Sequence, residues 1–294
     1  MNEIICGNCL DILPRFKDNS IACCVTDPPY NYEIIGRAWD DAEINRRLDK
    51  VKDSKTTLVK NIPYGSGLSG GVRNANWYAK NRKNVLDYQN WVEGWGKEVY
   101  RLLKPGGMCL VFNSTRTIAH VQVALEAAGF YARDILVWRR NSGIPKGINV
   151  SKKLEKLGEV NAQEWEGWHS CLRNEWEAIA VVQKPLMNNY IETLQKQHVG
   201  LFKAKSEEGF QSNIIEGIQR GVLDEFNTHP TVKPVELMKK LIELTVPKGY
   251  DNVVLDPFAG SGTTLVAAKE LGIDYIGIEL CKEYVEIIRR RLGE

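Results

Sequence analysis

An α/β fold built on a mostly parallel, Rossmann-like sheet of seven strands is predicted by three features of this 294-residue sequence. Short apolar runs, Ile21 to Val25 and Asn252 to Leu255, have the length and unbroken hydrophobicity of strands covered on both faces. Each run leads into an aspartate, Asp27 or Asp256, at the carboxyl end, where open α/β sheets bind their ligands. Stretches with helical spacing, such as Trp91, Trp95, Val99 and Leu102, stand between the strands.

In chain order, Met1 to Ile5 leads straight into a first strand, and Ile21 to Val25 forms the second. The Trp91 helix is predicted to break at Gly106-Gly107, before a strand at Met108 to Phe112. A helix near Ile118 to Ala128 and a strand from Ala132 to Trp138 follow. Glu177 to Gln183 reads as a further strand, pairing antiparallel with it and finishing the sheet edge. Last come a helix at Val235 to Leu244, the strand Asn252 to Leu255, a helix at Thr263 to Leu271 and a strand at Tyr275 to Ile278. Residues 139–175 and 184–228 carry no long periodic run.

Two motifs carry chemistry. In Asp27-Pro28-Pro29-Tyr30 the prolines hold φ near −65° and restrict the residue before them, so the turn presents rigid acceptors. An exocyclic amine becomes nucleophilic when acceptors draw on both of its hydrogens, which the Asp27 carboxylate and Pro28 carbonyl are placed to do. Pro29 fixes the turn, and Tyr30 offers a face on which an extruded base stacks. Read alone, the same four residues also suit an ordinary proline turn after a strand.

The second motif, Asp256-Pro257-Phe258-Ala259-Gly260-Ser261-Gly262-Thr263-Thr264, turns through glycines into a helix. Glu279 then closes the next strand 23 residues beyond Asp256, a carboxylate suited to ribose hydroxyls. This is a nucleoside-binding βαβ unit. Leu265 stands where a dinucleotide fingerprint needs its third glycine, and Thr263 where a P-loop needs lysine, which argues against NAD and ATP.

Composition bounds the rest. A hydrophobic content of 43% supports one α/β core of ordinary size plus inserted segments. Neither a secretion signal nor a membrane-spanning run is visible. Seven cysteines, including adjacent Cys23-Cys24 in a core strand, suit the reducing cytoplasm. Cys6-x-x-Cys9 lacks the second ligand pair of a zinc site, and His169 and His229 read as polar loop residues, so no metal is expected. Net charge is +2, but residues 46–83 hold ten Lys or Arg against Asp49 and Asp53. This segment, carrying Lys60, Arg73, Lys80, Arg82 and Lys83 with interleaved aromatics, is expected to contact a phosphate backbone; a solvated insertion fits its composition equally. Arg139, Arg140 and Lys146 lie in a second basic stretch and are expected to do the same.

The paired motifs resemble the bacterial and phage DNA amino-methyltransferases that use S-adenosylmethionine, and their order resembles the beta subgroup of that family. Ile5-Cys6-Gly7-Asn8-Cys9-Leu10-Asp11, Arg101-Leu102-Leu103-Lys104-Pro105-Gly106-Gly107 and His229-Pro230-Thr231-Val232-Lys233-Pro234 extend the likeness. It covers roughly residues 1–35, 88–138 and 226–294. One departure is Asn8, where the family usually has an aspartate near the cofactor adenine.

The resemblance implies a catalytic half at 1–138 with a basic insertion at 41–86, a target-recognition region at 139–228, and a cofactor half at 229–294. It implies S-adenosylmethionine held by Asn8, Cys9, Asp27, Asp256, Phe258, Ala259, Gly260, Ser261, Gly262, Thr263, Thr264 and Glu279, with Thr231 and Lys233 near the methionine end. Asp rather than Ser at position 27 implies N6 methylation of a flipped adenine in duplex DNA, with N4 methylation of cytosine or methylation of RNA as alternatives. A DNA-binding subunit without turnover is the non-catalytic alternative. A homodimer and a cognate restriction enzyme are the further partners the family suggests.

Overall fold

The computed structural model describes residues 2–30, 75–140, 147–207, 209–219, 225–227, 229 and 232–294. Its main sheet holds β1 (Asn2–Cys6), β2 (Ile21–Thr26), β3 (Leu103–Asn113), β4 (Tyr131–Arg139), β5 (Trp176–Gln183), β8 (Ile214–Ile215), β9 (Val253–Asp256) and β10 (Asp274–Glu279). The strand order is β1-β10-β9-β2-β3-β5-β4-β8. The seven strands read from the sequence are all present, and β8 adds a two-residue eighth. A separate ribbon pairs β6 (Lys205–Ser206) with β7 (Gly209–Phe210).

All pairings from β1 to β3 are parallel, and β5 alone runs against its neighbours. β5 does not lie at the edge expected for it. It inserts between β3 and β4, and residues 178–183 are buried on both faces, as the run Ala178 to Val182 requires.

Helices cover both faces. In α2 (Ala75–Leu102), which follows the short α1 (Cys9–Ile12), the residues Tyr88, Val92, Trp95, Val99 and Leu102 recur along one buried stripe. That stripe packs with Val121 and Leu125 of α3 (Ile118–Ala127) on one face of the sheet, where Cys24 points. The alternating neighbours Cys23 and Val25 point to the other face, against α6 (Val235–Thr245) and α7 (Thr263–Glu270). α8 (Lys282–Leu292), which sequence periodicity had not flagged, docks Ile288 and Leu292 into the same layer.

The stretches without long periodic runs contain α4 (Val150–Glu155) and α5 (Tyr190–Gln197), started by Asn149 and Asn189 accepting from the amides of Lys152 and Glu192. Gly106-Gly107 does not separate helix from strand as expected: α2 stops at Leu102 and β3 runs through both glycines. Gly106 has φ +82°, and a Cβ there would lie 2.6 Å from the Thr193 methyl group, so the position requires glycine.

Strand order reverses between β9 and β2, because β10 follows β9 outward on one side and β3 follows β2 outward on the other. Such a switch point opens a crevice at the carboxyl ends of the two strands. The two motifs, more than 200 residues apart in sequence, therefore meet in the middle of the sheet.

Candidate active site

Asp27 leaves the end of β2, and its carboxylate is gripped from two sides. The Tyr30 hydroxyl donates to Oδ1 at 2.5 Å, and the Lys233 ammonium hydrogen-bonds Oδ2. Lys233 Nζ also lies 3.5 Å from the Tyr30 hydroxyl oxygen and 5.6 Å from the Tyr30 ring centre. Pro28 is buried, while Asp27, Pro29 and Tyr30 are half-buried.

Burial raises the Tyr30 phenol well above its ordinary range, helped by the charges of Asp27 and Glu177, so its hydroxyl keeps the proton it donates. Burial pushes the Lys233 ammonium the other way, but Asp27 and Glu177 outweigh it and the net shift is upward. The buried lysine is therefore a cation.

Glu177, the second residue of β5 and not among the expected site residues, stands beside this pair. Its Oε2 lies 3.4 Å from Lys233 Nζ, and its Oε1 accepts the Arg140 guanidinium at 2.7 Å. The signal was a lone acid at the head of the otherwise apolar run Ala178 to Val182. Arg140, expected on DNA, is committed to Glu177, and its guanidinium carbon sits 5.9 Å from the Trp138 ring centre.

Across the crevice Asp256 accepts from the Thr26 hydroxyl at 2.7 Å and from the Phe258 amide at 3.1 Å. Burial lifts its pKa to about 6, against these hydrogen bonds. Phe258 is wedged against Trp91 and Trp95 of α2, with ring centres 5.3 and 5.4 Å apart. The Ala259 amide donates to the Ile278 carbonyl at 2.9 Å, tying the loop to β10. Ser261 and Thr263 are held from α8, since Arg291 donates to the Ser261 carbonyl at 2.6 Å and to the Thr263 hydroxyl at 3.1 Å. The Thr264 hydroxyl reaches the Val25 carbonyl at 3.5 Å.

Glu279 accepts from the Gly260 amide at 2.8 Å and the Cys281 amide at 2.9 Å. Burial raises its pKa to about 7 even with these donors present. An ionised carboxylate keeps spare lone pairs after two such bonds, and a ribose diol supplies matching donors. Gly260 and Gly262 have φ of +55° and +78°, and a Cβ at Gly260 would meet His229 Nε2 at 2.9 Å. A loop stripped of side chains, next to a buried acid at a strand end, fits a nucleoside cofactor. His229, read as a plain loop residue, covers Gly260 and contacts the Tyr284 ring edge-on at 4.6 Å.

Asn8 is exposed and caps α1, its side-chain oxygen accepting from the Leu10 amide at 3.0 Å. Cys9 is buried, with its thiol pushed up to about 12 by burial. Among the expected DNA contacts, Arg82 is exposed on α2, and Arg139 pairs with Glu216 at 2.8 Å. The side chains of Lys80 and Lys83, and the residues Thr231, Lys60, Arg73 and Lys146, lie outside the described residues.

The switch-point crevice, with an Asp-Pro-Pro-Tyr turn on one lip and a glycine loop on the other, defines a methyltransferase-type sheet. Residues 21–290 match the DNA methylase family of N6 and N4 methyltransferases, and the chain belongs to that family. The chain is 33% identical to the type II methyltransferase M.HindIII of Haemophilus influenzae strain Rd, over 96% of its own length and 92% of that protein. M.HinfI of Haemophilus influenzae is 27% identical, with 100% of the chain and 69% of that protein aligned. Two solved structures share the fold. The M1.HpyAVI–SAM complex has a TM-score of 0.58 at 22% identity over the whole of both chains. The cytosine-N4-specific PvuII DNA methyltransferase scores 0.59 at 16% identity, covering 98% of this chain and 85% of the other. The protein is an S-adenosylmethionine-dependent DNA methyltransferase of the beta group, as the order of its motifs implies.

Proposed function

We propose that the enzyme methylates N6 of an adenine flipped out of a specific site in duplex DNA. The observation that carries this reading is the Asp27 carboxylate, fixed by Tyr30 at the carboxyl end of β2 and one strand away from the Asp256 loop. An aspartate at this position supplies an acceptor oxygen for an aminopurine hydrogen, and the Pro28 carbonyl supplies the second acceptor. Drawing on both hydrogens localises the nitrogen lone pair for attack. Tyr30, anchored through its hydroxyl, presents its ring for stacking, a contact worth roughly 1–3 kcal/mol per base.

Glu279, Gly260 and Gly262 hold the cofactor's nucleoside end, and Phe258 keeps the loop against α2. When bound, S-adenosylmethionine supplies an electrophilic methyl group on sulfur. The residues of the site contribute positioning and electrostatics to the transfer.

Residues 139–175 and 184–228 read the target sequence, and the basic segment around 46–83 contacts phosphates. Kinship with type II methyltransferases supports a cognate endonuclease sharing the recognition site, and the same family supports a homodimer. A cytoplasmic location agrees with the buried free thiols of Cys23, Cys24 and Cys109. No helix among the described residues is long and apolar enough to cross a membrane.

The test is transfer of labelled methyl to unmethylated DNA, followed by nucleoside analysis. The expected product is N6-methyladenine, and Asp27→Ala should lower turnover by about 10²–10³-fold with cofactor affinity kept. N4-methylcytosine as the product would overturn the choice of base.

A further inference from the structure

The Asp27 carboxylate already carries a donor on each oxygen, Tyr30 on Oδ1 and Lys233 on Oδ2. Both donors drain the acceptor strength that a target amine would need. Among the described residues the Lys233 ammonium has one other anion within reach: Glu177 Oε2, 3.4 Å away, is buried and makes no hydrogen bond. The same carboxylate is held firmly at its other oxygen by Arg140. The four groups balance in charge, with Arg140 on one Glu177 oxygen and the other oxygen left without a donor. A buried carboxylate with an open oxygen is costly, so its placement calls for a reason.

We propose that Glu177 is a positioning residue for methyl transfer, serving as the second seat for the Lys233 ammonium. As the target amine reaches Asp27, Nζ shifts from Asp27 Oδ2 to Glu177 Oε2. The displacement is under about 1 Å, since a charge-assisted N–H···O bond closes to roughly 2.8 Å. The flexible four-carbon lysine stem permits this without moving the backbone. The lysine proton held by Asp27 Oδ2 turns to Glu177, so that oxygen regains acceptor strength for the amine, and the cation never leaves the pocket. The proposal rests on Asp27 being the acceptor for the target amine.

Single-turnover methylation at saturating cofactor and DNA tests it, with Glu177→Gln and Glu177→Asp compared. Glu177→Gln removes the second anion from Lys233 and should slow transfer at least about tenfold, with Kd for cofactor and DNA within about twofold of wild type. Glu177→Asp keeps the charge and should recover part of the rate. In a Lys233→Met background, Glu177→Gln should change the rate by less than about twofold, because Glu177 acts only through Lys233. Should that background fail to fold, the contrast between the Gln and Asp variants decides alone.

A full rate in Glu177→Gln, or equal slowing by Gln and Asp accompanied by weakened binding, would overturn the proposal and leave a structural counter-ion. Activity surviving Asp27→Ala is a different result. It would remove the underlying reading of Asp27, whereas Asp27-dependent transfer that ignores Glu177 sinks this inference alone.

Discussion

The two lips of the crevice are held by different means. On the cofactor lip, neutral donors satisfy the buried acids: the amides of Phe258, Gly260 and Cys281 and the Thr26 hydroxyl bond Asp256 and Glu279, while Arg291 braces the loop from α8. On the catalytic lip, Asp27, Glu177 and Lys233 come from three remote parts of the chain and are joined by charge. The first arrangement is stiff and pre-formed, suited to a cofactor of constant shape. The second has one cation between two anions, which allows a rearrangement when a base enters.

The comparison breaks first at Lys233. Replacing it with methionine removes the buried cation from between two half-buried carboxylates, and removal of one partner from a buried ion pair costs about 3–5 kcal/mol. Thermal denaturation should show the melting temperature falling by roughly 6–20 °C at 2–4 °C per kcal/mol. A fall of only a degree or two would mean that the site is wetter than the structure indicates. Asp27→Ala comes next, and for it the rate is the readout and the fold is expected to persist.

On the cofactor lip, Gly260→Ala tests stiffness. The new Cβ forces a left-handed residue, about 1–2 kcal/mol, and collides with His229. Cofactor affinity measured by calorimetry should weaken by roughly tenfold, while the transfer rate at saturating cofactor stays within about twofold. An unchanged affinity would show that the loop gives way.

The smallest effect concerns pH. Glu279 stands near 7 in the folded protein against an ordinary 4.5, so between these values the folded chain holds a proton that the unfolded chain lacks. Its contribution to stability therefore falls as pH rises through that window. Cofactor binding runs the opposite way, because only the ionised carboxylate accepts freely from a ribose diol. Affinity should drop by about tenfold from pH 8 to pH 6, the ratio of ionised fractions around a pKa of about 7. Glu279→Ala should flatten this profile. A pH-independent affinity in the unaltered enzyme would assign Glu279 to loop structure alone.

Chemistry at motif scale was legible in the sequence. Apolar runs bounded by Asp27 and Asp256 located the central strands, and the glycine pair with Glu279 marked the turn and end of a βαβ unit, because strand periodicity and left-handed turns depend on a few adjacent residues. Three other features depended on packing between distant segments. β5 entered the sheet between β3 and β4 because its six buried residues need a strand on each side. Arg140 turned from the solvent to Glu177, and Lys233, expected near the methionine end, came to rest on Asp27. A charged side chain in a sequence reveals its sign and reach, but its partner is whichever opposite charge the fold buries beside it, and desolvation makes that pairing obligatory only once the core has closed.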